Sequence, residues 1–242
     1  MKRPHYGIDA PPVIRQLFFS GIITLIIGFS IYYFTFTHYP RIAIILLIIA
    51  VIFSASYFVS VIYMFWSSLF GKKHLRDFLI ESLNLQGNEK VLDVGCGRGL
   101  LLIAIAKKLT RGGKSVGIDL WSHEDLSNNQ EIFTKKNAEF EGVSNRIEII
   151  SGDMTNMSFS DNIFDYVVAS MAIHNVPTPE KRHKAITEIA RVLKQGGEVS
   201  LLDFQCLQEY KRSLINLGFQ NVKVSKLYFW MFPPVRIVTG KK

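Results

Sequence analysis

Two long apolar segments stand out in the first quarter of the chain. Residues 17–36 and 42–65 carry no charged side chain. Because roughly twenty helical residues cross the apolar core of a bilayer, this pattern predicts two transmembrane helices, at residues 17–36 and 42–65. The short turn between them contains Pro40, which is suited to end one helix and begin the next. Residues 1–70 are therefore predicted to form a membrane anchor, a helical hairpin.

The charged and aromatic residues around this hairpin predict its orientation. The turn holds one basic residue, Arg41, whereas positive charges flank the hairpin on both outer sides, at Lys2, Arg3, Arg15, Lys72, Lys73 and Arg76. The positive-inside rule then places both ends of the chain in the cytoplasm. Aromatic residues near the helix ends suggest interfacial belts, at Tyr32, Tyr33, Tyr39, Tyr63 and Trp66. A signal peptide would have a shorter apolar region, and a buried soluble hairpin would show a polar stripe.

After residue 71 the pattern changes to short apolar strands that alternate with helices. Strands are predicted at residues 91–94, 115–119, 146–150, 164–170 and 198–203. Helices are predicted at residues 100–109 and 179–194, with a glycine turn at 195–197. This alternation is typical of an α/β domain with a mostly parallel sheet and helices on both faces. Residues 71–242 are predicted to be this second domain, joined to the anchor by a short linker at 67–73.

A glycine-rich loop follows the first of these strands and precedes an apolar helix. The loop has glycine at every second position, at Gly95, Gly97 and Gly99, and its first glycine lies two positions after Asp93. A dinucleotide fingerprint would need a third glycine where Leu100 stands, and a P-loop would need Gly-Lys-Ser/Thr. The free N–H groups of the following helix suit a ligand seated on the loop. Further along, Asp119 ends the second strand, where a carboxylate suits the two hydroxyls of a ribose.

The D-x-G-x-G-x-G pattern resembles motif I of the class I S-adenosylmethionine-dependent methyltransferases. The resemblance extends over residues 85–242 and includes the run Ala-Arg-Val-Leu-Lys-Gln-Gly-Gly at 190–197. It implies a Rossmann-like sheet of order 3-2-1-4-5-7-6, with strands six and seven near 218–222 and 235–239. It also implies S-adenosylmethionine as the cofactor, with the ribose on Asp119 and the adenine beside Asp153 and Met154. The cofactor-binding residues expected from it are Asp93, Gly95, Cys96, Gly97, Gly99, Asp119, Leu120, Asp153, Met154 and Ser170.

The methyl acceptor is expected at the carboxyl ends of the strands, beside the glycine loop. Residues 170–175 lie just past the fourth strand, and His174 could take a proton from the acceptor because imidazole titrates near neutral pH. Asn175 could orient the acceptor or the histidine. The alternative is that His174 packs in its loop or caps the next helix.

Two further segments each have more than one interpretation. Trp121 could cover the adenine, and the polar residues 121–129 could close over the cofactor; ordinary packing and a solvated connection are the alternatives. Residues 227–234 are apolar and aromatic. They could form a packed hairpin turn, a wall of the acceptor pocket, or a surface that dips into the bilayer.

Composition narrows the function further. The net charge of +8 is spread over both parts of the chain, which suits an anionic inner leaflet. No basic stripe with interleaved aromatics or other nucleic-acid motif is present, so a nucleic-acid partner is not expected. The six histidines are scattered, so no metal site is predicted. The two cysteines fit a reducing compartment.

Together these patterns predict a membrane-anchored methyltransferase that acts on a small or lipophilic acceptor by in-line displacement. A quinone precursor, an isoprenoid and a lipid headgroup would each fit. The alternatives are a membrane-associated protein as acceptor, and a non-catalytic sensor or scaffold that binds S-adenosylmethionine. Residues 71–242 are expected to bind the cofactor without the hairpin. The oligomeric state is left open.

Overall fold

The computed structural model of the protein describes residues 4–122, 126 and 129–242. The basic residues Lys2 and Arg3 lie outside these residues, as do positions 123–125, 127 and 128 of the polar segment. Within the described part, the chain forms an N-terminal helical hairpin followed by an α/β domain with one seven-stranded sheet.

The helices are α1 (Pro11–Thr35), α2 (Pro40–Trp66), α3 (Lys72–Ser82), α4 (Leu100–Lys108), α5 (Glu131–Phe140), α6 (Pro179–Val192) and α7 (Leu207–Asn216). A π-helical turn, Ser67–Gly71, joins α2 to α3. Short 3-10 turns occur at Ser144–Arg146 and Ile173–Asn175. The strands are β1 (Lys90–Val94), β2 (Lys114–Asp119), β3 (Ile147–Ser151), β4 (Phe164–Ser170), β5 (Leu193–Asp203), β6 (Gln220–Val224) and β7 (Arg236–Lys241).

The hairpin is held together by small residues at the contact between α1 and α2. A Cβ on Gly28 would overlap that of Ala50, so glycine allows the two backbones to approach closely here. Ser54 donates a hydrogen bond of 2.9 Å to the carbonyl of Gly21. The outer faces stay exposed, since 11% of the apolar stretch in each helix is buried. Both helices are long and apolar enough to cross a membrane, a property that core helices of soluble proteins and signal sequences share.

The predicted linker at residues 67–73 is helical instead. The helix of α2 continues through the π-helical turn into α3, so the candidate span that begins at Pro40 runs to Ser82. The continuation is explained by packing against the aromatic segment 228–232. Ser67 accepts a hydrogen bond of 3.0 Å from the N–H of Phe232, and a Cβ on Gly71 would overlap the carbonyl oxygen of Trp230. The joint between the hairpin and the α/β domain is therefore a packed contact.

The sheet has the order β3-β2-β1-β4-β5-β7-β6, as the family resemblance implies. Strands β1 to β5 are parallel, and β7 pairs antiparallel with both β5 and β6. Successive residues of a strand pack into the helix layers on opposite faces of the sheet. Val91 packs with α3 and α4, whereas its neighbour Leu92 packs in the larger cluster that includes α6 and α7. This double burial explains the continuous apolar runs of the central strands.

The strand bounds differ from the sequence predictions by a few residues, most of all in β5. The glycine turn predicted at 195–197 lies inside β5, which begins at Leu193. The reason is pairing with the end of the chain: the N–H of Gly196 donates to the carbonyl of Lys242 at 2.7 Å, and the N–H of Lys242 donates to the carbonyl of Gly197 at 2.9 Å. Because Lys242 is far from this segment in the sequence, the local pattern of residues 195–197 predicted a turn instead of a strand.

Candidate active site

The glycine loop lies where β1 ends and α4 begins. Gly95, Gly97 and Gly99 all have positive φ angles, of 72°, 49° and 82°, which favour glycine. Gly95 also needs to lack a side chain, because a Cβ there would overlap the Cβ of Ala172. Ala172 follows β4, so this contact brings the predicted acceptor segment against the predicted cofactor loop.

Asp93 lies beneath this loop and holds the start of α4. Its Oδ2 accepts a hydrogen bond of 2.9 Å from the N–H of Leu102 in the first turn of the helix. The carboxyl is buried, and burial raises its pKa to about 7, with the negative charge of Asp119 acting in the same direction and the Leu102 N–H opposing it. Asp93 therefore fixes the position of the first turn of α4 relative to the glycine loop.

Asp119 ties the end of β2 to the glycine loop. One carboxylate oxygen accepts from the N–H of Gly97 at 2.7 Å. The other accepts from the N–H of Trp121 at 2.6 Å and from the amide of Asn129 at 3.1 Å. The carboxylate is thus held at the carboxyl edge of the sheet, directly beside the glycine loop.

The residues predicted to flank the adenine lie near the same edge. Gly152, after β3, donates to the carbonyl of Asp119 at 3.0 Å. Asp153 is exposed and accepts from the N–H of Thr155 at 2.7 Å. The Met154 methyl lies 3.7 Å from where a Cβ on Gly95 would stand. Leu120 is 63% exposed, next to Asp119. The structure therefore gathers these sequence-predicted residues around the loop.

Cys96 and Trp121 have more local roles. The Cys96 thiol is buried against Gly117 of β2, whose added Cβ would lie 2.7 Å from the sulfur. Burial raises the pKa of this thiol, and the charges of Asp93 and Asp119 raise it further, so it stays protonated. The indole N–H of Trp121 donates to the Ser151 hydroxyl at 2.7 Å, which fixes the ring at the end of β3.

His174 lies past β4, in the turn Ile173–Asn175. Ser170, the last residue of β4, is half-buried, and Asn175 is exposed. The His174 side chain is 10% exposed, and its ring packs edge-on against Phe204 with centroids 4.8 Å apart. Nδ1 lies 2.9 Å from Oδ1 of Asp203, although the two are not aligned as a hydrogen bond.

Asp203 is the residue that the sequence analysis missed. It ends β5, beside β4 in the sheet, and its side chain is 2% exposed. Its Oδ2 accepts a 2.9 Å hydrogen bond from the Tyr210 hydroxyl, and its Oδ1 accepts one of 2.8 Å from the N–H of Phe204. Burial, and then the charge of Asp203, raises the pKa of Tyr210, so the phenol remains a donor. The sequence could have indicated Asp203 as a site residue, because it is an acid at the carboxyl end of a strand, as Asp119 is.

This arrangement can orient the imidazole ring of His174. A carboxylate beside Nδ1 can fix the orientation of the ring and leave the other ring nitrogen for proton transfer. In residues 4–122, 126 and 129–242, no group of three or more His, Cys, Asp or Glu side chains could hold a metal ion.

The strand order and the overall fold are like those of solved methyltransferase structures. Residues 91–197 match the family model described as "Methyltransferase domain". The matched part contains the glycine loop, Asp119, Asp153 and His174. This part of the chain is therefore similar to a methyltransferase domain.

Particular relatives agree with this class. The demethylmenaquinone methyltransferase of Staphylococcus epidermidis is 34% identical over 53% of this chain and 48% of its own length. The sterol 24-C-methyltransferase of Gibberella zeae is 34% identical over 61% of this chain and 35% of its own. The chain thus spans about half or less of these two relatives. The crystal structure of a methyltransferase from Aquifex aeolicus shares the fold, with a TM-score of 0.54, 18% identity and coverage of 69% of this chain and 88% of that one.

Proposed function

We propose that this protein is a membrane-anchored methyltransferase that transfers the methyl group of S-adenosylmethionine to a small lipophilic acceptor. The ribose would be bound by Asp119, the adenine would lie by Asp153 and Met154, and the glycine loop would pass beneath the rest of the donor. The observation that carries the proposal is the Gly95–Ala172 contact. It joins the donor loop to the segment that contains His174.

The bound donor supplies an activated methyl group on a sulfonium. The protein then has to align acceptor, methyl carbon and sulfur, and to remove a proton where the acceptor is a hydroxyl or an acidic carbon. His174 is the proposed base. The Asp203 carboxylate would orient the imidazole from its Nδ1 side, and the hydrogen bond from Tyr210 would keep Asp203 in position. The proton from the acceptor would therefore be taken up at Nε2.

A lipophilic acceptor is supported by the surroundings of the joint. An apolar groove of about 500 Å³ runs between α1 and α2 at the end of the hairpin nearest the α/β domain, and among the described residues that line it only Arg15 is charged. Phe232 packs into the cluster behind this groove with Ile14 and Val61. Tyr228, four residues earlier, and Met171, which follows β4, both pack against the buried cluster that contains Met231. Apolar side chains thus continue from the groove towards the proposed acceptor site.

The membrane anchor is part of the proposal. The exposed apolar faces of α1 and α2 suit hydrocarbon. Under the positive-inside rule, the basic flanks favour a cytoplasmic position for both ends of the chain and for the α/β domain. The aromatic segment 228–232 then lies at the membrane-proximal joint. There the Tyr63 hydroxyl donates to the carbonyl of Phe229, and the rings of Tyr63 and Phe232 pack 5.1 Å apart.

The experiment is a transfer assay in the native lipid. Purified full-length protein in nanodiscs made from its host's lipid extract is incubated with methyl-labelled S-adenosylmethionine, and the lipid, protein and aqueous fractions are counted separately. We expect label in the lipid fraction, and far less label with an Asp119→Ala variant when the donor concentration is below the wild-type KM. Label in the protein fraction would instead favour a membrane-associated protein acceptor. Donor binding without transfer to any fraction would favour a sensor or scaffold.

A further inference from the structure

The segment before the first helix is built onto the α/β domain, although it precedes the hairpin. We call residues 4–10 the strap. The strap runs from α5 to the joint between hairpin and domain at Ser68 and Lys72. Helix α1 begins directly after the strap, at Pro11. The sequence division into an anchor of residues 1–70 and a domain of residues 71–242 assigns the strap to the anchor.

Asn137 of α5 connects the strap to the glycine loop. Its side-chain oxygen accepts from the N–H of His5 at 2.9 Å, and its amide donates to the carbonyl of His5 at 3.1 Å. The same amide donates to the carbonyl of Arg98, inside the glycine loop, at 2.9 Å. Asn137 is 1% exposed. Without the strap, two of these hydrogen bonds would be lost from a buried amide, which is costly.

Tyr6 and Gly7 extend the contact along the back of the loop. Tyr6 is 8% exposed and packs with Ile103 and Ala106 of α4, the helix that the loop begins. Gly7 has a φ of 77°, and a Cβ there would lie 2.7 Å from the Leu126 side chain and 3.2 Å from that of Arg98. The strap therefore lies within van der Waals distance of the loop itself.

Lys72 fixes the other end of the strap. Its ammonium group donates to the carbonyls of Tyr6 and Gly7 at 3.1 and 2.8 Å, and to Oδ1 of Asp9 at 2.9 Å. Ser68 adds a hydrogen bond to the other Asp9 oxygen at 3.2 Å. Lys72 is 5% exposed, so its charge is buried and its partners in the described residues all belong to the strap. A buried ammonium is tolerated only when it is paired in this way.

We propose that the strap is a structural part of the donor site, with Asn137 and Lys72 as positioning residues that hold the glycine loop in its donor-binding form. Because Lys72 follows α2 and Pro11 follows the strap, the same contacts connect the hairpin to the donor site. This inference rests on the proposed function for the identity of the donor. It replaces the expectation that residues 71–242 bind the donor unaided.

The test measures donor affinity in the full-length protein. Calorimetry with S-adenosylmethionine and S-adenosylhomocysteine compares the wild type with Lys72→Met and Asp9→Asn. Lys73→Met is the matched control, because Lys73 is the exposed neighbour on the same helix. We expect dissociation constants about tenfold higher for Lys72→Met, a smaller increase for Asp9→Asn, and no change for Lys73→Met. Steady-state kinetics should show a raised KM for the donor, with kcat at saturating donor unchanged.

Each outcome has a definite meaning. Wild-type donor affinity in a folded Lys72→Met or Asp9→Asn protein would overturn the inference, and so would an equal loss in Lys73→Met. If Lys72→Met fails to fold, Asp9→Asn decides alone, since its side chain is 34% exposed and its shape is conserved. If the wild type binds neither compound, the donor assignment itself fails and the strap inference falls with it. If the wild type binds and the variants bind equally well, only the strap inference fails.

Discussion

Replacing Asp119 with alanine tests the donor site most directly. In the proposed complex the carboxylate accepts hydrogen bonds from both ribose hydroxyls. A charge-assisted hydrogen bond is worth about 1.5–3 kcal/mol, so losing two of them removes about 3 kcal/mol or more, which corresponds to about 100-fold weaker binding. Because Asp119 also accepts from the N–H groups of Gly97 and Trp121, we expect the free energy of unfolding to fall as well, by about 1–2 kcal/mol.

The two effects of Asp119→Ala can be separated with a modified ligand. Calorimetry is run with S-adenosylhomocysteine and with its 2′,3′-dideoxy analogue, on the wild type, on Asp119→Ala and on Glu148→Ala. Glu148 is an exposed acid on β3 and serves as the charge control. The wild type should prefer the complete ribose strongly, whereas the alanine variant should bind both ligands about equally. If a folded Asp119→Ala protein keeps the wild-type preference for the complete ribose, the carboxylate does not contact the ribose and the assignment is wrong.

Three other predictions follow from the same site and its surroundings. His174→Gln should lower kcat by a factor of about 10² or more while donor affinity stays constant, and Asp203→Asn should have a smaller effect in the same direction; unchanged turnover of the His174 variant would mean that the ring only packs. The folded-state pKa of Asp93, about 7 instead of 3.8, means that the folded protein binds more protons than the unfolded chain between these values. This contribution to stability is therefore present at pH 4 and lost as the pH rises towards 7. An Asp93→Asn variant should not lose this stability as the pH rises. Denaturation of the ligand-free protein at several pH values should therefore show the free energy of unfolding of the variant increasing relative to that of the wild type between pH 4 and pH 7. Parallel pH profiles of the two proteins would contradict the burial argument. Thr178 accepts from the N–H of Lys181 at the start of α6, so Thr178→Ala should lower the free energy of unfolding by about 1 kcal/mol, which chemical denaturation can measure.

Most of the α/β domain was predictable from the sequence because its signals are local. The alternation of strands and helices, the glycine spacing after β1 and the acids at the ends of β1 and β2 are each set by a few neighbouring residues. The family resemblance then implied the strand order, which the structure confirms. The apolar length of α1 and α2 is equally local. Their observed bounds are Pro11–Thr35 and Pro40–Trp66. Both helices begin at a proline before the predicted start, and α1 ends one residue before the predicted end whereas α2 ends one residue after it.

The tertiary structure alone decided which of these pieces meet. His174 and Asp203 come together because β4 and β5 are neighbours in the sheet, and nothing in the sequence around His174 indicates its partner. Asn137 and His5 are separated by 132 positions, yet their contact attaches the start of the chain to the glycine loop. The continuous helix through residues 67–71 likewise depends on a segment near the end of the chain. The sequence determines periodicity and turn chemistry because these act between near neighbours, whereas contacts across the chain depend on how the completed elements pack.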